Sequence, residues 1–117
     1  MRFLREWATN SPAWVEVRAP ESDLGIGLGV GENEAIALAV EIGSSILLVD
    51  DRRAREEAEH RGLLTIGTIT ILDIADERGL LDFEQAASRL LMTNFHVERA
   101  VLEMVRAKVR ERKSGAD

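Results

Sequence analysis

Four consecutive apolar residues, Ile46-Leu47-Leu48-Val49, run directly into Asp50 and Asp51, and this stretch constrains the chain more than any other. The run is too short for a helix and has no polar alternation, so it predicts a strand buried on both faces of a parallel sheet. In open α/β sheets the carboxyl ends of the strands face the ligand crevice, which puts Asp50 and Asp51 where such folds keep their chemistry. Two adjacent carboxylates repel one another, and a cation usually compensates such a pair. With no cysteine and no paired histidines in the chain, that cation would be a hard one such as Mg²⁺ or Mn²⁺. The other reading is that one aspartate caps the following helix and the other is solvated. If the two charges chiefly repel, neutralising both should leave the fold as stable or more stable.

Around this strand the chain divides into short elements. Met1 to Asn10 puts Phe3, Leu4 and Trp7 at helical spacing, and Ser11-Pro12 breaks it. Trp14 to Arg18 alternates apolar and polar residues and predicts a short strand with one face buried. Ala19 to Gly31 carries Pro20 and four glycines, which predicts a mobile connection. Gly25, Gly27 and Gly29 have neither the register nor the Lys-Ser/Thr of a phosphate loop, so a hinge is the better reading. Glu32 to about Ile42 reads as a helix ended by Gly43 and buried on more than one side. Its Glu34 lies one turn before Leu38, close to the buried face, although Glu32 and Glu34 also suit the helix dipole.

After the central strand, Arg52 to Arg61 predicts a charged helix stopped by Gly62, and Leu63 to Ile66 a second buried strand. Thr68 is placed to cap a helix from Ile69 to Glu77, and Asp82 to cap another from Phe83 to Met92. Phe95 to Arg112 reads as the longest helix, with Val97, Val101, Val105 and Val109 on one face. Ser114 to Asp117 should fray. Strand, helix, strand, helix, strand, helix with short connections gives right-handed βαβ units, hence an α/β fold with a short parallel sheet and a helical C-terminal part.

Composition bounds the rest. At 45% apolar and 31% charged, residues 1–117 suit one globular domain with one core. No stretch resembles a membrane span or a signal peptide, which leads to the expectation of a cytoplasmic protein without membrane partners. A net charge of −6 argues against a generic nucleic-acid coat. Two basic clusters, Arg52, Arg53 and Arg55 and then Arg106 to Lys113, could still contact phosphates locally. The alternative for the first is a solvated helix face with i,i+4 pairs such as Arg52 with Glu56.

Three motifs occur in order: Gly-Glu-Asn-Glu-Ala-Ile from Gly31, Leu-Leu-Val-Asp-Asp-Arg-Arg-Ala-Arg from Leu47, and Gly-Leu-Leu-Thr-Ile-Gly-Thr from Gly62. Together they resemble the small prokaryotic branch of the PIN-domain superfamily. The resemblance implies a metal-dependent ribonuclease, often the toxin of a toxin–antitoxin pair, in which carboxylates hold Mg²⁺ or Mn²⁺ at an RNA phosphodiester. Carried over by position, Glu34, Asp50 and Asp51 would be the catalytic and metal-holding acids, with Arg52, Arg53 and Arg55 beside them for RNA. Such domains open on a strand ending in Asp before the segment equivalent to Trp14 to Arg18, so the resemblance implies that this strand and its Asp are lacking here. Two roles follow: a PIN-like ribonuclease, with a small antitoxin as partner, or a catalytically inactive remnant acting through association. The gap left in the sheet leads to the expectation of a homodimer or larger oligomer.

Overall fold

The computed structural model describes residues 9–25, 27–44 and 46–115. The amphipathic opening with Phe3, Leu4 and Trp7 lies outside the described residues, as do Ala116 and Asp117. From residue 30 on, the described residues form five helices and two strands in the order α1 (Val30–Ile42), β1 (Ile46–Leu48), α2 (Arg52–His60), β2 (Leu64–Ile66), α3 (Thr68–Glu77), α4 (Phe83–Leu91) and α5 (Arg99–Ser114). The fold is α/β with a helical C-terminal part.

The sheet has two parallel strands, with Ile46 opposite Leu64, Leu47 opposite Thr65 and Leu48 opposite Ile66. The ladder runs one bond further, from the Val49 N–H to the Ile66 carbonyl at 2.9 Å. Trp14 to Arg18 is not a strand. It follows a turn closed by the Val15 N–H on the Pro12 carbonyl, and Trp14 and Val17 are more than four-fifths exposed. Alternation alone does not make a strand without a ladder, and this segment pairs with neither β1 nor β2.

The central strand also departs from burial on both faces. Ile46 and Leu48 are 51% and 56% exposed, and Leu64, which shares their face, is 68% exposed. Leu47 and Val49 point the other way, into a core of Ile36, Ala39, Ala54, Ala58 and Leu63 supplied by α1, α2 and the turn before β2. Small alanines on both helices let them sit close to the strands. An unbroken apolar run therefore conceals burial on one side only.

Helix α1 begins at Val30 with Gly29 as its N-cap and stops where Gly43 takes a left-handed φ of 65°. The Gly43 and Ser44 N–H groups close back on the Val40 and Ala39 carbonyls, a geometry that a side chain at position 43 would strain. The helix buries Ile36, Ala37 and Ala39 but leaves Ile42 53% exposed, so it is covered on one side rather than several.

A second core joins α3, α4 and α5 through Ile69, Phe83, Ala87, Leu102, Val105 and Val109. Helix α5 starts at Arg99 rather than Phe95, and its buried stripe is Leu102-Val105-Val109, a mixed i, i+3, i+7 spacing that follows the 3.6-residue turn better than the strict i+4 valine series. Val97 lies in the extended approach to this helix and packs on the same core.

Candidate functional site

Strand β1 ends by delivering Asp50 and Asp51 to two helix N-termini. Asp51 is the N-cap of α2, and its Oδ2 accepts the Ala54 N–H at 3.0 Å. Asp50 reaches across to α3, whose own N-cap, Gly67, has no side chain to offer. Its Oδ1 accepts the Thr68 N–H at 2.8 Å and its Oδ2 accepts the Thr68 hydroxyl at 2.6 Å. A Cβ at position 67 would lie 2.9 Å from Asp50 Oδ1, so glycine there makes room for the carboxylate. Both negative charges thus face the positive end of a helix.

These bonds replace two expectations. Thr68 is the first residue of α3 rather than its cap, and the cap comes from Asp50, eighteen positions earlier. The aspartates are not merely a repelling pair: losing a capping carboxylate to alanine costs about 0.5–2 kcal/mol, whereas asparagine caps nearly as well. The reading in which one aspartate caps and the other is solvated is half right, since both cap.

The two acids open onto a cleft of about 510 Å³ at the carboxyl ends of the strands, beside the second core. Its other walls include Arg55, Ile69, Phe95 and His96. The Asn94-Phe95-His96 stretch was not legible as part of a site, because the sequence reads Phe95 as the start of the last helix.

Glu34 does not join the aspartates. It lines a separate cavity of about 480 Å³ with Asn33 and the Ala19–Asp23 segment. That segment is held on α1 by Glu41, whose carboxylate accepts the Glu21 and Ser22 N–H groups and is kept below the usual glutamate range by them. Glu32, two residues earlier, is the acid that lines a pocket with Leu47, Leu48 and Val49. Among the described residues no three His, Asp or Glu groups come close enough to hold a metal ion. Glu34, Asp50 and Asp51 therefore do not fit a common Mg²⁺ or Mn²⁺ ion in this arrangement.

The three arginines after the aspartates part company. Arg52 pairs with Glu56 at 3.2 Å and Glu98 at 3.8 Å. Arg53 turns toward the glycine-rich loop, donating to the Gly27 carbonyl at 3.4 Å, and lines a pocket there rather than the cleft. Arg55 lines the cleft, as does the already paired Arg52. In the second basic cluster, Arg106, Lys108, Arg112 and Lys113 are in ion pairs with acids of α3, of α4 and its N-cap, and of their own helix, so four of its five cations fasten α5, and Arg110 alone is left in no ion pair among the described residues.

No helix among the described residues is long and apolar enough to cross a membrane. No curated protein and no solved structure matches the chain. A family model described as a PIN domain matches residues 4–111. A match over nearly the whole length shows that this chain belongs to the PIN-domain family, whose members are in general nucleases that use divalent metal ions.

Proposed function

We propose that this chain acts on RNA as a ribonuclease of the PIN type, in the cleft at the carboxyl ends of β1 and β2, with Asp51 as its working acid. The observation that supports this reading most is the division of labour between the aspartates. Asp50 commits both oxygens to Thr68, whereas Asp51 uses only Oδ2 for its cap and leaves Oδ1 without a partner among the described residues. An exposed carboxylate with one free oxygen, fixed on rigid backbone beside a cleft, can orient a water and take its proton, a role that typically contributes 10²–10⁴-fold. Asp50 then organises the site by locking the start of α3 against the end of β1. Divalent ions remain part of this reading, as Mg²⁺ or Mn²⁺ in the assay, but Glu34 is not among their holders. The same reading carries a cytoplasmic setting and a toxin-type role with a small antitoxin as partner.

A second reading, an inactive module that works through association, has one observation in its favour: the apolar sheet face of Ile46, Leu48 and Leu64 is open, whereas parallel sheets are generally covered on both sides. A second copy closing that face would make the chain a homodimer.

The test is cleavage of a labelled single-stranded RNA, with and without Mg²⁺ or Mn²⁺, by wild type, Asp51→Asn and Glu34→Gln. Asp51→Asn keeps the cap and should melt close to wild type while losing about 100-fold or more in cleavage rate. Glu34→Gln should stay near the wild-type rate. Equal losses in the two variants would return Glu34 to the site, and an intact dimer that neither binds nor cleaves RNA would favour the association module.

A further inference from the structure

Arg55 is half-buried, and its Nε is fully buried with no hydrogen-bond partner in the described structure. Its one hydrogen bond is a long one, Nη2 to the Asp50 carbonyl at 3.4 Å, and no carboxylate of the described residues pairs with it. A guanidinium partly removed from water with one buried donor unmet and another held only by a long bond is costly, and an anion beside the planar fork is the usual remedy. The neighbours differ in the respects that matter: Arg52 also lines the cleft but is exposed and already paired with Glu56 and Glu98, and Arg53 is exposed and faces another pocket.

The space beside Arg55 suits an anion in a second way. Ile69 and Thr70, in the first turn of α3, line the same cleft. The first intrahelical bond there is from the Ile71 N–H to the Gly67 carbonyl, so the N–H groups of residues 69 and 70 precede the helical ladder. Asp50 satisfies the Thr68 N–H and leaves those two at the positive end of the helix. Asp50, Asp51 and Glu98 on the same walls limit the cleft to a single phosphate rather than a long run of them.

We propose that Arg55 is the phosphate-positioning residue of the cleft, holding one phosphodiester of RNA between its guanidinium and the first turn of α3, while Arg52 and Arg53 do not contact the backbone. This rests on the RNA reading above and narrows it to one of the three arginines.

Two measurements separate the proposal from that reading. In fluorescence anisotropy with a short labelled single-stranded RNA, Arg55→Gln should weaken binding about tenfold or more, as expected for a lost charged hydrogen bond, and lower the salt slope by about 0.7. Arg52→Gln and Arg53→Gln should stay within about twofold of wild type. Arg55→Lys keeps the charge without the fork, so it should restore the salt slope and part of the affinity. In thermal melts, inorganic phosphate at matched ionic strength should stabilise wild type but not Arg55→Gln. If wild type binds RNA and Arg55→Gln binds it equally well with the same salt slope, Arg55 is not the phosphate holder and the RNA reading stands. If wild type ignores RNA yet phosphate stabilises it through Arg55, the phosphate site stands and the RNA reading falls. If Arg55→Gln and Arg55→Lys lose binding and thermal stability together, the role of Arg55 is structural and the proposal is overturned.

Discussion

Replacing Asp73 with alanine should destabilise the protein by about 2 kcal/mol, the scale of losing charged hydrogen bonds at a buried carboxylate. Asp73 lies on α3, is 2% exposed, and is the buried charged residue of the described structure. Its Oδ1 accepts from Arg112 Nη1 at 2.8 Å, and its Oδ2 faces Lys108 Nζ at 3.0 Å, both on α5. Arg112 continues to Asp76 Oδ1 at 2.9 Å, and Asp76 Oδ2 accepts the Phe83 N–H at 2.7 Å, the first residue of α4. Lys113 bridges Asp76 and Asp82, the latter being the N-cap of α4. One network therefore ties three helices at their ends, and removing Asp73 takes its buried partner from Arg112, which keeps Asp76, and from Lys108, which is largely exposed.

The same network sets the acid limit of the fold. Burial pushes the Asp73 carboxyl up, but hydrogen bonds and charge from Arg112 and Lys108 outweigh it, and the net effect holds Asp73 below the usual aspartate range. Asp76 is held low first by the Phe83 N–H and then by Arg112, and Asp82 by the Gln85 N–H and then by Lys113. A carboxyl with a depressed folded pKa stabilises the fold above its unfolded value of about 3.9, and that contribution is lost as pH falls through the lower folded value. Wild type should thus lose stability progressively below about pH 4, and Asp73→Ala should show a shallower fall. Urea melts at neutral and acid pH check both statements. A loss under about 1 kcal/mol at neutral pH would mean that the network is not what fastens α5.

Phe83→Ala should cost about 3–5 kcal/mol, the range for emptying a buried aromatic site. Phe83 is fully buried at the start of α4, packed with Ile69 of α3 and Leu102, Val105 and Val109 of α5. It is the largest fully buried side chain among the described residues, and the alanine and valines around it are too small to fill its space. For a domain with about 5–15 kcal/mol of net stability such a loss leaves little reserve, and the melting temperature should fall by roughly 15 °C. Phe83→Leu, which retains most of the apolar contact, should lose clearly less. Equal melting of Phe83→Ala and wild type would place the centre of this core elsewhere.

The parts of the fold that were legible in the sequence are those set by local chemistry. Gly43 and Gly62 mark the ends of helices, Asp51 and Asp82 sit where capping chemistry requires, and the short apolar runs around Leu47 and Thr65 are strands to within a residue. The illegible parts depend on partners distant in the chain. Trp14 to Arg18 has the composition of a strand and pairs with neither strand of the sheet. Ile46 and Leu48 are as apolar as Leu47, yet only Leu47 meets a helix. Glu32 and Glu34 stand about 200° apart around their helix, so a rotation fixed by tertiary packing decides which acid faces the sheet. The Asp50–Thr68 clamp joins two motifs whose order the sequence shows and whose contact it does not.

Amide chemical-shift mapping of the ¹⁵N-labelled protein with a short single-stranded RNA reads directly which face of the molecule, if the proposed activity holds, meets RNA. Shifts concentrated on Asp51, Gly67, Ile69, Thr70 and the Phe95–His96 stretch, with the surroundings of Glu34 unmoved, are the predicted result. Shifts centred on the cavity of Glu34 and the Ala19–Asp23 segment, with the cleft silent, would contradict it.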